Sequence, residues 1–425
     1  MARAARDETE RLNKPVAAIR GWPAGRGEDN NGACLARTDE DSAVTTLSNP
    51  MAILAMLILG RTAFGMQYQS VGAVGPAMMA DLHLSFTDLG TLLGAYSTLG
   101  MFLAIPAGWL VGRAGDRRVM LTGLVLMVAG GALLTLAPGF AVALVGRSAA
   151  GAGSLLIGVV GSKMVMDRFT GSALPAAMGA LLASYPLGIG LGLMLLPHFG
   201  PWRVAMAAST AFCVAGLAVG LFTPEAVPLD RRAASPHRLA TGTLVPLTIV
   251  ALIWTFLNAG YAVLLGFGAS FFVHGGMAAS QAGLLTSVGA LMAVPVLPLG
   301  GYVSGRIGRR LTSIALCLCV MALGLLGIAS GLPALPMLLA IAIALGLCAG
   351  PIMALLGDFL APEHRALGTG LLFAAYYTGM TLLPPLAGWA GDATASAAAP
   401  IVVGAGFLAL GALCVPAYAR LRQPV

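Results

Sequence analysis

Charge is what this chain has least of. Aspartate, glutamate, lysine and arginine make up 10% of its 425 residues, against about 25% in a soluble globular protein. So few charges cannot cover a water-exposed surface, and 58% of the residues are hydrophobic with a mean hydropathy of +0.88. Most of the chain must face lipid. Acid is missing where it would matter for buried chemistry. Beyond residue 50 the carboxylates are Asp81, Asp88, Asp116, Asp167, Glu225, Asp230, Asp358, Glu363 and Asp392, each in a loop or at the end of an apolar run. The five histidines, His83, His198, His237, His274 and His364, are placed the same way, and the six cysteines lie scattered with no ligand spacing. No metal and no cofactor is expected. With no acid pair or activated nucleophile at depth, an enzyme is not expected either. There is no Gly-x-x-x-x-Gly-Lys-Ser/Thr sequence, which excludes ATP-driven pumping by this chain alone.

What is present is a series of apolar runs, each long enough to cross a bilayer as about 20 helical residues. They fall at 51–77, 89–111, 119–137, 140–165, 174–197, 203–222, 245–272, 282–304, 311–331, 334–357, 369–391 and 398–418. Lipid satisfies no backbone polar group, and the runs are about twice barrel-strand length, so they are helices. The expectation is an all-α integral membrane protein of twelve transmembrane helices. Residues 1–50 mix charges of both signs and lack an apolar core, which reads as a disordered cytoplasmic tail or as an over-extended start before Met51. Arg113, Arg117, Arg118, Lys163, Arg168, Arg231, Arg232, Arg238, Arg306, Arg309, Arg310, Arg365, Arg420 and Arg422 fall on one side of the twelve runs, and Arg203 alone on the other. The positive-inside rule puts the first side, with both termini, in the cytoplasm of a multi-pass protein, expected in a bacterial inner membrane. The net charge of +7 is then an orientation signal and implies no nucleic-acid partner. A monomer is expected.

The stretch "GWLVGRAGDRR" at 108–118 has an echo, "GYVSGRIGRR", at 301–310. A constant offset of 193 carries Gly108, Arg113, Gly115 and Arg117 onto Gly301, Arg306, Gly308 and Arg310, and Tyr68 onto Tyr261. The chain therefore divides into a six-helix half at 51–222, a cytoplasmic linker rich in proline and charge at 223–244, and a second half at 245–425. Both halves begin on the same side, so the repeat is parallel, an arrangement that holds substrate near the midplane between the halves.

Twelve helices in two parallel halves, with this loop after helices 2 and 8, resemble the major facilitator superfamily. The family's loop motif is matched by Gly108, Arg113, Gly115, Arg117 and Arg118, while Gly112 stands where the family usually carries Asp, and Asp116 lies four places later. "RSAAGAGS" in helix 4 matches the family's Arg-x-x-x-Gly-x-Gly through Arg147, Gly151 and Gly153. The helix 1 wording "GRTAFGMQYQSVGAVGPAM" is similar to the branch that holds cyanate and nitroimidazole transporters. The resemblance implies a secondary transporter working by alternating access. It also implies a conformational role for the loop residues Gly108, Arg113, Gly115, Asp116, Arg117, Gly301, Arg306, Gly308 and Arg310, with Asp116 taking over the usual salt bridge to helix 11.

Two arginines remain inside the membrane. Arg61 lies about ten residues, or roughly 15 Å, into the first run, and Arg147 enters the fourth from the other side to a similar depth. Each costs at least about 2.5–3.5 kcal/mol to bury, and no fixed acid is near. Either the guanidinium braces the bundle on carbonyls, or it lines a positive cavity that awaits an anion, which its planar fork can grip with two hydrogen bonds. Helical phase sets Gly65, Tyr68 and Gly72 on the face of Arg61; Asn258 and Tyr261 share a face in helix 7. The expected substrate-binding residues are Arg61, Tyr68, Arg147, Asn258, Tyr261 and Tyr376, with Tyr377 beside Tyr376 and Tyr185 in helix 5 as further candidates or interfacial anchors. The expected cargo is a small anion or weak acid, proton-coupled or exchanged; the alternative is efflux of a neutral or weakly acidic drug-like compound.

Overall fold

The computed structural model describes residues 49–170, 173–223, 241–307, 309–360 and 364–421, with side chains described at these positions except 104, 105, 107–112, 175, 241, 301–307, 365 and 366. The expected tail, nearly all of it, and most of the expected linker lie outside the described residues. Twelve α-helices are found among them: α1 Pro50–Leu82, α2 Phe86–Ala114, α3 Asp116–Thr135, α4 Phe140–Arg168, α5 Ala173–Leu195, α6 Trp202–Gly220, α7 Thr241–His274, α8 Ala279–Ile307, α9 Arg310–Ala329, α10 Ala334–Ala354, α11 Arg365–Thr394 and α12 Ala399–Leu421. Ten are apolar and long enough to cross a membrane. The other two, α2 and α11, pack along one another. Adding the offset of 193 to the bounds of α2 gives those of α8, and the other pairs agree to within a few residues except at the ends of α4, α5 and α6. The molecule is two pseudo-symmetric six-helix bundles.

Local chemistry sets the helix ends. Asn49 accepts a hydrogen bond from the Met51 amide at 2.9 Å and Pro50 follows at the first helical position, the preferred arrangement for a start. The α2 start comes three residues before the expected 89 because Ser85 and Asp88 form a reciprocal capping box. Helix α1 runs five residues past the expected 77. Pro76 does not end it; the helix bends through Val74, at φ −115° and ψ 16°, and continues, as a proline that clashes with the carbonyl four residues back allows. Gly115 joins α2 to α3 at φ +84°, where a side chain would be strained.

The end at which α1 begins is called here the near end, and the opposite one the far end. In the far half the two bundles are pressed together. A carbon added to Gly90 of α2 would sit 2.3 Å from the Pro384 carbonyl of α11, and one on Gly283 of α8 would sit 2.4 Å from the Leu193 carbonyl of α5. Gln69 of α1 donates to the Leu265 carbonyl of α7 at 2.6 Å. The Asp392 carboxylate, at the far end of α11, accepts hydrogen bonds from the amides of Phe86 and Thr87, each at 2.8 Å, and from the Thr87 hydroxyl. An acid of one half thereby caps the first turn of α2 in the other, the end of a helix that favours negative charge. The apolar core divides in keeping with this. One cluster runs from Val71, Leu89 and Leu193 of the first half into Val263, Phe267 and Ala282 of the second. The near half of the first bundle packs separately, around Ile53, Leu57, Val119, Leu124, Leu156 and Val160.

Candidate functional site

Arg147 is 0% exposed. Its Nε donates to the Leu92 carbonyl at 3.1 Å, Nη1 to that of Gln67 at 2.8 Å and Nη2 to that of Tyr68 at 2.9 Å. The guanidinium also lies 4.4 Å from the centre of the Tyr96 ring. Tyr96 in turn donates to Gln67 Oε1 at 3.3 Å, and Gln67 Nε2 to the Met127 carbonyl at 2.8 Å. One buried network thus ties α1, α2, α3 and α4. The two glycines that follow in "RSAAGAGS" complete it: a carbon on Gly151 would stand 2.0 Å from the Tyr96 carbonyl, and one on Gly153 2.3 Å from that of Gly123. The arginine can reach those carbonyls because the backbones come this close. Of the two roles open to it, ligand holder or brace, the geometry in this conformation is that of a brace. Its depth also differs from expectation. It meets α1 at Gln67 and Tyr68, about 10 Å farther along that helix than Arg61 at 1.5 Å rise per residue.

Arg61 is placed otherwise. Its Nε is buried without a hydrogen-bond acceptor, and the side chain makes no hydrogen bond or ion pair among the described residues. Its Nη1 lies 3.7 Å from where a side-chain carbon on Gly158 of α4 would be, so α4 leaves room beside it. The titratable groups that act on it electrostatically are the phenols of Tyr185 in α5 and Tyr377 in α11. These two phenols belong to two aromatic groups, one from each half. In the first, Phe64 packs on Tyr185 with ring centres 4.7 Å apart, Tyr68 lies 5.9 Å from Tyr185, and Tyr96 lies 5.4 Å from Tyr68. In the second, Tyr376 lies 5.0 Å from Tyr377 and 6.1 Å from Phe373. Tyr377 rests on Gly100 of α2, where a side-chain carbon would stand 2.7 Å from the ring. Arg61, Phe64, Tyr68, Tyr185, Tyr376 and Tyr377 all keep part of their surface accessible although they lie well inside the helix bundle. The hydroxyls of Tyr68, Tyr185, Tyr376 and Tyr377 make no hydrogen bond among the described residues.

Of the other expected ligands, Tyr68 packs near Tyr185 and Tyr376 near Tyr377, the two phenols that act on Arg61, while Asn258 and Tyr261 are engaged within their own half. Asn258 donates to the Trp254 carbonyl at 2.7 Å and Tyr261 to that of Gly289 in α8 at 3.1 Å. Gly65 and Gly72 are close-approach points, not cavity wall: a carbon on Gly65 would stand 2.2 Å from the Tyr185 carbonyl, and one on Gly72 3.0 Å from Gly266. Phe64 and Tyr96 were not among the expected site residues; nor was Trp254, which the offset of 193 pairs with Arg61 and whose Nε1 is also buried without an acceptor. Equal unmet donors at symmetric positions of α1 and α7 are a signal the offset could have supplied.

At the near end, Asp116 is 4% exposed and binds Lys163 of α4 at 2.6 and 2.8 Å, with Asp167 on the same ammonium at 2.9 Å. Its partner is in its own half and not on α11, because at this end the first bundle packs on its own. Arg117 caps the last turn of α6 through the Leu221 carbonyl at 2.8 Å. Arg310, its equivalent, pairs with Asp358 beyond α10 at 3.1 Å. The symmetric helix pairs are therefore pinned with opposite polarity, acid to base in one half and base to acid in the other. Arg113 is exposed in the last turn of α2; Gly308 and the side chain of Arg306 lie outside the described residues, and Gly108 and Gly301 sit in stretches of α2 and α8 whose side chains are likewise undescribed.

The sequence profile of the Major Facilitator Superfamily matches residues 57–275 and, a second time, residues 250–425. The chain belongs to this superfamily. Solved members share the fold across nearly the whole chain. A D-xylose–proton symporter superposes with a TM-score of 0.72 at 16% identity, over 86% of this chain and 97% of that one. A bacterial homologue of the human lysosomal transporter Spinster, in an inward-facing and occupied conformation, gives 0.70 at 19% identity, over 88% and 98%. Among sequence relatives, the MFS-type transporter ppzB of Metarhizium majus is 28% identical over 145 residues, 33% of this chain and 31% of its own. That match spans about a third of the relative's length. The chain is a multi-pass membrane transporter of this superfamily and not an enzyme.

Proposed function

We propose that this protein is a secondary transporter of a small anion or weak acid, that Arg61 is the fixed positive charge of its substrate site, and that Tyr68, Tyr185, Tyr376 and Tyr377 line that site. The observation that carries the reading is the unmet Arg61 guanidinium between the halves. A guanidinium at this depth costs at least about 2.5–3.5 kcal/mol, and no carboxylate among the described residues offsets it. An anionic substrate would, through two parallel hydrogen bonds. Arg147 acts as a brace that fixes α1 against α2 and α4, so that Arg61 and Tyr68 hold their positions.

The arginine bias supports a cytoplasmic near end, in what we take to be a bacterial inner membrane. The far-end closure by Gln69 and Asp392 then makes this the inward-facing state. Transport proceeds by rocking of the two bundles, which parts these far-end bonds and closes the loop residues of the near end. Inward movement of one negative charge against 100 mV costs about 2.3 kcal/mol, so uptake requires a proton carried with the substrate as its conjugate acid, or exchange for another anion. Of the relatives named, only the D-xylose–proton symporter has a stated cargo, and a likeness at 16% identity does not choose the substrate.

Counterflow of labelled nitrate, cyanate and small carboxylates in proteoliposomes tests the reading. Arg61→Ala is expected to abolish exchange of whichever anion the wild type moves, and unchanged exchange overturns it. The aromatic lining favours a second reading, efflux of a neutral drug-like compound. That reading predicts transport indifferent to Arg61.

A further inference from the structure

We infer that the substrate is a planar aromatic carboxylate, held by its carboxyl on Arg61 and by its ring between the aromatic groups of the two halves. This rests on the anion reading above and narrows it.

The distribution of aromatic residues is the first ground. Only 7% of the chain is aromatic, and it has eight tyrosines. Five of these, Tyr68, Tyr96, Tyr185, Tyr376 and Tyr377, stand with Phe64 and Phe373 in the two groups, and one member of each, Tyr185 and Tyr377, acts on Arg61. Tyr96 is already occupied by Arg147. The others keep accessible surface. A small inorganic ion would satisfy the guanidinium and leave those ring faces unused.

Their disposition is the second. The first group comes from α1 and α5, the second from α11, so the walls belong to different halves. The phenols of Tyr68 and Tyr185 lie within electrostatic reach of those of Tyr376 and Tyr377. An aromatic ring seated between them would contact one wall of each half, at the 4.5–7 Å centre spacing such pairs prefer. Its binding would then draw the halves together, which a ligand held by one half alone would not do. The hydroxyls of Tyr68, Tyr185, Tyr376 and Tyr377, without hydrogen bonds among the described residues, can donate to the second carboxyl oxygen or to a polar ring substituent.

The test is a panel of four probes titrated calorimetrically into the detergent-purified full chain: benzoate, cyclohexanecarboxylate, propionate and benzamide. With each ring contact contributing about threefold, benzoate is expected to bind about tenfold tighter than cyclohexanecarboxylate, which has the charge and bulk but no ring face. Propionate is expected to bind more weakly still, and benzamide, which has the ring but no charge, not at all. Tyr68→Leu and Tyr377→Leu should erase the preference for benzoate over cyclohexanecarboxylate, and Tyr377→Phe should retain it. If benzoate, cyclohexanecarboxylate and propionate bind within about threefold of one another and all lose binding in Arg61→Gln, the aromatic inference fails and the anion reading stands. If benzamide matches benzoate and Arg61→Gln alters neither, the anion reading itself fails. The wild-type panel decides even if a leucine variant does not fold.

Discussion

The two buried arginines should respond to the same substitution with opposite sign. Arg147→Met removes three hydrogen bonds from a charged donor, each worth about 1.5–3 kcal/mol, and a desolvated cation–ring contact of about 2 kcal/mol. Release of the guanidinium from burial returns several kcal/mol. The net loss expected is about 3–5 kcal/mol, close to that for breaking a buried pair. Arg61→Met removes a guanidinium whose Nε has no acceptor. Leaving a buried donor unmet costs about 1–3 kcal/mol, so this variant should be as stable as the wild type or more so in the absence of ligand. At about 2–4 °C per kcal/mol for a chain of 150–250 residues, and less for a longer one, Arg147→Met should melt about 5–10 °C below the wild type in detergent, and Arg61→Met at or a few degrees above it. Differential scanning fluorimetry without added anion makes the comparison. Equal destabilisation by both substitutions would refute the division of labour between brace and ligand holder, and a stabilised Arg147→Met would refute the brace.

Other perturbations follow from the same geometry. Lys163→Met strands the buried Asp116 carboxylate and should cost about 3–5 kcal/mol; the double variant with Asp116→Asn should recover much of the loss in a thermal double-mutant cycle, and simple additivity would contradict the pairing. Asp392→Ala removes an inter-half helix cap worth about 1–2 kcal/mol, shifting the population toward a far-end-open state by about 5- to 30-fold; distances between spin labels on the far ends of α2 and α11 should lengthen, and an unchanged distribution would count against the latch. Gly188→Leu puts a carbon about where the Thr62 carbonyl stands, 2.1 Å away; the variant should elute as aggregate in size-exclusion chromatography, and a monodisperse, active variant would contradict the close packing of α1 on α5.

The twelve helices and their duplication were legible in the sequence because lipid imposes one requirement on every span, and because Gly108 and Gly301 head the same frame. Boundaries failed where a local interaction outweighed hydropathy, at the capping box of Ser85 and Asp88 and at the bend near Pro76. The site was legible in part. Arg61 stood out by depth and Tyr68 by helical phase. The partners of Arg147 could not be read because they are carbonyls, which every residue carries; only the fold decides which of them converge. Phe64 and Tyr96 were passed over because an aromatic residue in an apolar run looks the same whether it faces lipid or a cavity. Tyr376 and Tyr377 were candidates by residue type alone; they lie some three hundred residues from Arg61, and nothing in the local pattern pairs them with it. Asn258 and Tyr261 had the right residue type and phase, but their polar atoms are taken up by carbonyls within the second half.

Direct location of a bound anion tests the central claim most closely. Crystals grown with 4-iodobenzoate would report the ring through the anomalous signal of iodine and the carboxyl through density. The expected result is a carboxylate on Arg61 with two nitrogen–oxygen distances of about 2.7–2.9 Å, its ring between Tyr68 and Tyr185 on one side and Tyr376 and Tyr377 on the other. An anion seated elsewhere, with the Arg61 guanidinium still unmet, would contradict it.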